Sequence, residues 1–247
     1  MKRAAAIAFV VLASVSCGGQ EPVASHGPQG SPATPDPSTP AQNPTGSASP
    51  EPQPATPSPP AFQSKVSKIS RDRLPHSWRS GCPVSYQDLR LVTMTYWGFD
   101  NKPHTGELVV RDRVTDDIET VFKKLYDWRW PIYQMKLVDA YKADDFDSIE
   151  ANNTSAFNCR RATGSSNWSN HAYGEAIDIN PRENPYVTAS GSTAHQNAKK
   201  FTERPMKGKG VINPGDKVVK AFAQVGWEWG GYWSGAKDYQ HFSKGGG

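Results

Sequence analysis

Apolar and polar residues alternate from Leu89 to Trp97 (Leu-Arg-Leu-Val-Thr-Met-Thr-Tyr-Trp), which predicts a β-strand. A second strand is predicted at Gly106–Val110, after the turn signal Asn101-Lys-Pro-His104. The period then changes. Ile118, Val121, Phe122 and Leu125 recur at helical spacing, with Thr115 placed as cap, Asp116 and Asp117 in the first turn and Pro131 as the stop. Tyr133–Tyr141 and Ser155–Arg160 read as further short strands, and Pro181–Gly210, polar and rich in turn residues, as a long loop. A second helix is predicted over Asp216–Val225, with Val218, Val219, Phe222 and Val225 as its apolar face and Gly226 at its end. The sum is an α+β fold, with helices packed on a small antiparallel sheet.

One short alternation carries chemistry. In Ala176-Ile-Asp-Ile-Asn180, strand geometry puts Ile177 and Ile179 on one face and Asp178 on the other, away from the apolar layer. His171 precedes Asp178 by seven residues, across Gly174, and His241 follows much later in Asp238-Tyr-Gln-His241-Phe242. Two imidazoles and a carboxylate with one open position are a recurrent ligand set of hydrolytic zinc sites. Asp238, three residues before His241, is the spare carboxylate that such a site uses to move protons. A buried aspartate facing two histidines also needs a counter-charge, which a dication supplies. His26, His76, His104 and His195 read as ordinary structural or surface histidines, and Glu175 and Glu228 as surface acids. Trp227, Trp229 and Trp233 read as core and site-wall aromatics, one of which can stack on substrate.

Composition divides the chain. Residues 1–17 hold a basic start, an apolar run from Ala4 to Val15, and Cys17; this is an export signal, too short to span a bilayer. Cys17 stands where a lipoprotein signal ends, although Ser14 occupies the place usual for Leu; cleavage with simple secretion is the alternative. Residues 18–64 form a Pro/Ser/Thr-rich segment that cannot bury enough surface to offset its ordering entropy. Gln20–Ala61 alone contains 13 of the 21 prolines, and at roughly 3 Å per residue such a spacer reaches on the order of 100 Å. Residues 65–247 are of single-domain size. The net charge of +4 is too small to argue for nucleic acid. Beyond Cys17 the cysteines are an even pair, and in an oxidising compartment Cys82 and Cys159 are expected to form a disulfide contributing roughly 4 kcal/mol at most.

Ser169-x-His171-x-x-Gly174-x-Ala176-x-Asp178 is similar to the SxHxxGxAxD signature of the VanX/VanY-type zinc peptidases. That group includes D-Ala-D-Ala dipeptidases, D,D-carboxypeptidases and L-alanyl-D-glutamate endopeptidases. Asp238-x-x-His241-Phe242 resembles its second element, and the resemblance covers most of Leu89–Phe242. It implies one zinc ion held by His171, Asp178 and His241, with Asp238 as general base and acid. It further implies that Arg160, or its neighbour Arg161, steadies the oxyanion, and that Ser169 is a supporting or substrate hydrogen bonder. Carboxypeptidases of the group usually carry Glu where Asp238 stands, so the likeness is nearer the endolysin-type branch.

The expectation is therefore an exported zinc peptidase that hydrolyses an amide in peptidoglycan stem peptides, at L-Ala–D-Glu or D-Ala–D-Ala. It is expected in the bacterial cell envelope as a monomer, held to the membrane only through a lipid on Cys17. Two other readings stand beside it: a zinc-containing wall-binding lipoprotein without catalysis, and an enzyme acting on a non-wall peptide.

Overall fold

The computed structural model describes residues 59–245. The expected signal segment 1–17, Cys17 and the spacer up to residue 58 lie outside the described residues. No helix among the described residues is long and apolar enough to cross a membrane.

In chain order the elements are β1 (Ser64–Lys68), β2 (Leu89–Gly98), β3 (Pro103–Arg111), α1 (Thr115–Asp127), β4 (Pro131–Ile132), β5 (Gln134–Met135), α2 (Asp145–Glu150), β6 (Asn153–Thr154), β7 (Ala176–Asp178), β8 (Tyr186–Val187), α3 (Lys217–Gln224), β9 (Trp227–Trp229), β10 (Lys237–Asp238) and β11 (His241–Lys244). The expected α+β class holds. β2 lies between β1 and β3, antiparallel to both, and its end pairs in parallel with β4. A smaller antiparallel sheet, β7-β11-β9, carries the candidate site.

The alternation in β2 explains how the layers join. Val92 and Met94 face the main core with Leu108 and Val110 of β3, the apolar stripes of α1 and α3, and Ile177 and Phe242 of the smaller sheet. Leu89, Leu91 and Val109 point the other way, into a second cluster with Ile69, Leu74, Phe157 and Cys159. Cys82 and Cys159 are joined in a disulfide, as expected, with Cα atoms 5.8 Å apart.

Several local expectations need correction. Thr115 does not cap α1: a single 3-10 turn, Asp112–Val114, runs directly into the helix, and the Thr115 hydroxyl donates back to the Asp112 carbonyl (2.9 Å). The helix ends at Asp127, before Pro131 can stop it. In Tyr133–Tyr141 only Gln134–Met135 is strand, and Val138–Tyr141 is a 3-10 turn. Asp139 in that turn accepts from the Ser77 hydroxyl and from the His76 and Ser77 backbone amides, which holds the chain away from an extended path. Ser155–Arg160 does not form a strand of its own. Four of its amides bond in turn to Asp178, Val109, His171 and Ser77, so it threads between elements instead of pairing with one. Helix α2 lies where the sequence pattern predicts no element; Asp144 caps it by accepting from the Asp147 amide (2.9 Å). Pro181–Gly210 is mainly irregular, but it holds β8 and a 3-10 segment at Gln196–Phe201.

Candidate metal centre

The site begins with a one-turn 3-10 segment, Asn170–Tyr173. Ser169 caps it: its hydroxyl accepts from the His171 amide (3.3 Å). Gly174 closes it in the left-handed region (φ 69°), and a Cβ there would come within 2.7 Å of the Arg111 amide nitrogen. That close approach lets the Gly174 carbonyl accept from Arg111 N (2.9 Å), tying the turn to the end of β3. Glu175 then enters the protein, where Arg111 and Arg113 both donate to its Oε1 (3.1 and 2.6 Å). It is buried and doubly paired, which corrects its reading as a surface acid.

β7 follows with the predicted alternation. Ile177 and Ile179 lie in the main core, and Asp178 faces His171 and His241. His241 is brought there by strand register, since it stands directly opposite Asp178 in the β11–β7 ladder. His171 Nε2 and Asp178 Oδ2 are 3.1 Å apart, His241 Nδ1 and Asp178 Oδ1 are 3.1 Å apart, and the two imidazole nitrogens are 3.2 Å apart. His171 Nδ1 lies 2.6 Å from the Ala156 carbonyl, an acceptor only, so Nδ1 carries the proton and Nε2 presents a lone pair to the site.

These residues fit a zinc ion. All three side chains are buried, and their ligand atoms lie within 4.8 Å of one another. The edge of a tetrahedron with bonds of about 2.0–2.1 Å is about 3.3 Å, close to the separations found. A carboxylate buried between two imidazoles also needs a positive counter-charge, which a dication supplies. Burial works to raise the Asp178 carboxyl and to lower His171, but their mutual attraction outweighs it, holding Asp178 well below the carboxylate range and His171 above its usual value.

Asp238 sits at the edge of this cluster on β10, opposite Tyr186 of β8. Burial and the nearby Asp178 carboxylate push its pKa up to about 7, with His241 and Arg160 pulling the other way. Its Oδ1 is enclosed and has no hydrogen-bond partner among the described residues. Gly230 makes room for it. A Cβ at Gly230 would fall 2.6 Å from the Asp238 carbonyl oxygen, 2.9 Å from its Cβ and 3.3 Å from the His241 Cβ. Sequence reasoning passed over Gly230; the Gly230-Gly231 pair between aromatic residues was the available signal.

The two candidate arginines differ in their surroundings. Arg161 is exposed, with its guanidinium 3.8 Å from the Trp168 ring centroid and Nη1 donating to the Ser166 carbonyl (2.6 Å). Arg160 is half-buried and close enough to act electrostatically on both His171 and Asp238. Its Nη2 pairs with Asp145 (2.8 Å), and its Nε is buried without a partner among the described residues. The aromatics also separate. Trp229 is buried, and its indole N–H donates to the Tyr239 carbonyl (2.8 Å), two residues before His241. Trp233 is half-buried, with its ring 5.4 Å from that of His241. His195, read as structural, is buried against Phe146 and paired with Glu150 (2.8 Å).

Residues 163–244 match the family model described as D-alanyl-D-alanine carboxypeptidase. The match covers about a third of the chain and includes His171, Asp178, Asp238 and His241, while Arg160 precedes it. This segment is thus similar to the carboxypeptidase family in the part that builds the site. No curated protein and no solved structure gives a significant match.

Proposed function

We propose that this protein is a zinc peptidase that hydrolyses an amide bond of peptidoglycan stem peptides. The observation that carries the reading is the buried His171–Asp178–His241 cluster with Asp238 at its edge, one oxygen of which has no hydrogen-bond partner among the described residues, inside the segment similar to D-alanyl-D-alanine carboxypeptidases. When bound, zinc supplies Lewis acidity, which makes water a competent nucleophile near neutral pH.

The chain's own groups supply the rest. Asp238 takes the proton of the attacking water and returns it to the leaving amine, and its enclosed, unpartnered oxygen suits that exchange. Arg160 donates to the carbonyl oxygen as negative charge develops there; its spare Nε–H favours it over Arg161, whose guanidinium is stacked on Trp168. Trp233 lines the approach to His241, and Trp229 shores up the strand beneath it. In this reading residues 1–17 direct export, Cys17 carries the lipid, and residues 18–64 let the domain at 65–247 reach the wall as a monomer. Asp at position 238 favours the L-Ala–D-Glu bond over D-Ala–D-Ala.

Mass spectrometry of muropeptides digested with the zinc-loaded protein tests this. Loss of terminal D-Ala indicates a carboxypeptidase, and scission after L-Ala an endopeptidase. Chelation and His171→Ala should each abolish cleavage. Wall binding without any cleavage at full zinc occupancy would instead identify a binding protein.

A further inference from the structure

Arg160 is held in place by its neighbours. Its Nη2 is held by the Asp145 carboxylate at 2.8 Å, its Nη1 donates to the Arg161 carbonyl (3.3 Å), and its Nε is buried without a partner among the described residues. A guanidinium held at both Nη atoms, with its Nε–H unsatisfied in a buried place, keeps a donor for which the described residues supply no acceptor. Asp145 opens α2, and the chain reaches it through two successive non-glycine residues in the left-handed region, Lys142 (φ 55°) and Ala143 (φ 59°). Such backbone is disfavoured for residues other than glycine and persists where the surroundings over-determine it. Here the surroundings connect to the metal cluster. The Asn158 side-chain amide donates to the Ala143 carbonyl (3.2 Å), and the Asn158 backbone amide donates to the His171 carbonyl (3.2 Å). Two residues on, the Arg160 carbonyl accepts from the Ser169 amide (3.1 Å). One short stretch thus joins the turn that carries Asp145, the arginine and the first histidine.

We propose that Asp145 is the positioning residue of Arg160: it holds the guanidinium in one orientation beside the His171–Asp178–His241 cluster, where the arginine meets the substrate carbonyl, and Asn158 fixes the strained turn that puts Asp145 there. The proposal rests on the peptidase reading, in which Arg160 meets that carbonyl. Asp145 itself touches no reacting atom. Its removal leaves the charge of Arg160 in place but frees the guanidinium to turn, so the loss falls on the transition state more than on ground-state binding.

The test is steady-state kinetics of the zinc-loaded full chain on the muropeptide that the wild type cleaves, with zinc content and melting temperature measured for each variant. Asp145→Asn should lower kcat by about 10-fold or more, the scale of losing an orienting partner, with KM changed less than about 3-fold and zinc content unchanged. Asp145→Glu should recover part of the loss. Added to Arg160→Ala, Asp145→Asn should have no further effect, because the group it orients is gone. Wild-type kcat in Asp145→Asn, or losses that multiply in the double variant, overturns the proposal while leaving the peptidase reading intact. If Arg160→Ala keeps full kcat, the assigned oxyanion donor is wrong and the proposal falls with it. A fall in zinc content or melting temperature that accounts for the lost activity makes Asp145 a structural residue only and also overturns it. Absence of wild-type cleavage sinks the peptidase reading itself.

Discussion

Asp178 is buried and Asp238 half-buried beside it, and their surroundings push their proton affinities apart. Asp178 lies between two imidazoles and stays ionised, whereas Asp238 faces Asp178 in a poorly solvated place and holds its proton up to about pH 7. Asp238→Asn should therefore retain metal and lose about 100-fold or more of kcat, read from metal content and muropeptide turnover. It should also alter stability. In metal-free protein the unfolded chain releases this proton near its ordinary value of 3.8, and the folded protein only near 7. Stability thus falls as pH rises between those values, by about 2–4 kcal/mol at most. Asn removes the titration, so urea unfolding of the metal-free variant should show a gain over wild type at about pH 8 and little difference at about pH 4. Gly230 belongs to the same scale. Gly230→Ala inserts a methyl group at 2.6 Å from the Asp238 carbonyl, and backbone must move. A loss of about 1–3 kcal/mol in thermal unfolding is expected, together with reduced turnover, because the displaced residue is the proposed base.

At the scale of elements, the ligands are set by two strands and one turn. The β7–β11 register puts His241 opposite Asp178, and Phe242, next in line, anchors that register by stacking on Phe222 of α3 with centroids 4.0 Å apart. Phe242 is fully buried. Phe242→Ala should cost about 3–5 kcal/mol in urea unfolding and weaken metal affinity as well, measurable by competition with a chromogenic chelator. Unchanged metal affinity would show that β11 holds His241 without its aromatic anchor. The strand alternation at Ala176–Asn180 and the stripe of α3 were legible in the sequence because both rest on local periodicity. The Tyr133–Tyr141 and Ser155–Arg160 segments were not, because side chains and backbone from distant segments decide their paths. Asp139 bonding to Ser77 and the shifting partners of Ser155–Cys159 leave no trace in a local pattern.

For the whole molecule, the Cys82–Cys159 bridge ties the N-terminal part of the domain to the strand-like segment that ends in Arg160. Arg79 reinforces it by donating to the Cys159 carbonyl (2.6 Å). Replacing both cysteines by serine should lower the urea midpoint by an amount equal to about 2–4 kcal/mol. Turnover should fall further than zinc content, since the bridge adjoins Arg160 and not the proposed metal ligands. Equal losses of both would place the effect on the fold as a whole.

Legible in the sequence alone were the two histidines and the aspartate that meet at the candidate centre, the strand that turns Asp178 away from the core, the two main helices, and the even cysteine pair. Each follows from spacing, periodicity or residue chemistry within a short window, which a linear chain displays directly. Tertiary structure alone decided that Glu175 is buried between two arginines, that Gly230 gives Asp238 its place, and that Asp145 grips Arg160 across a strained turn. Those relations depend on which distant backbones approach within a few ångströms, and approach in space is a property of packing that no single segment encodes.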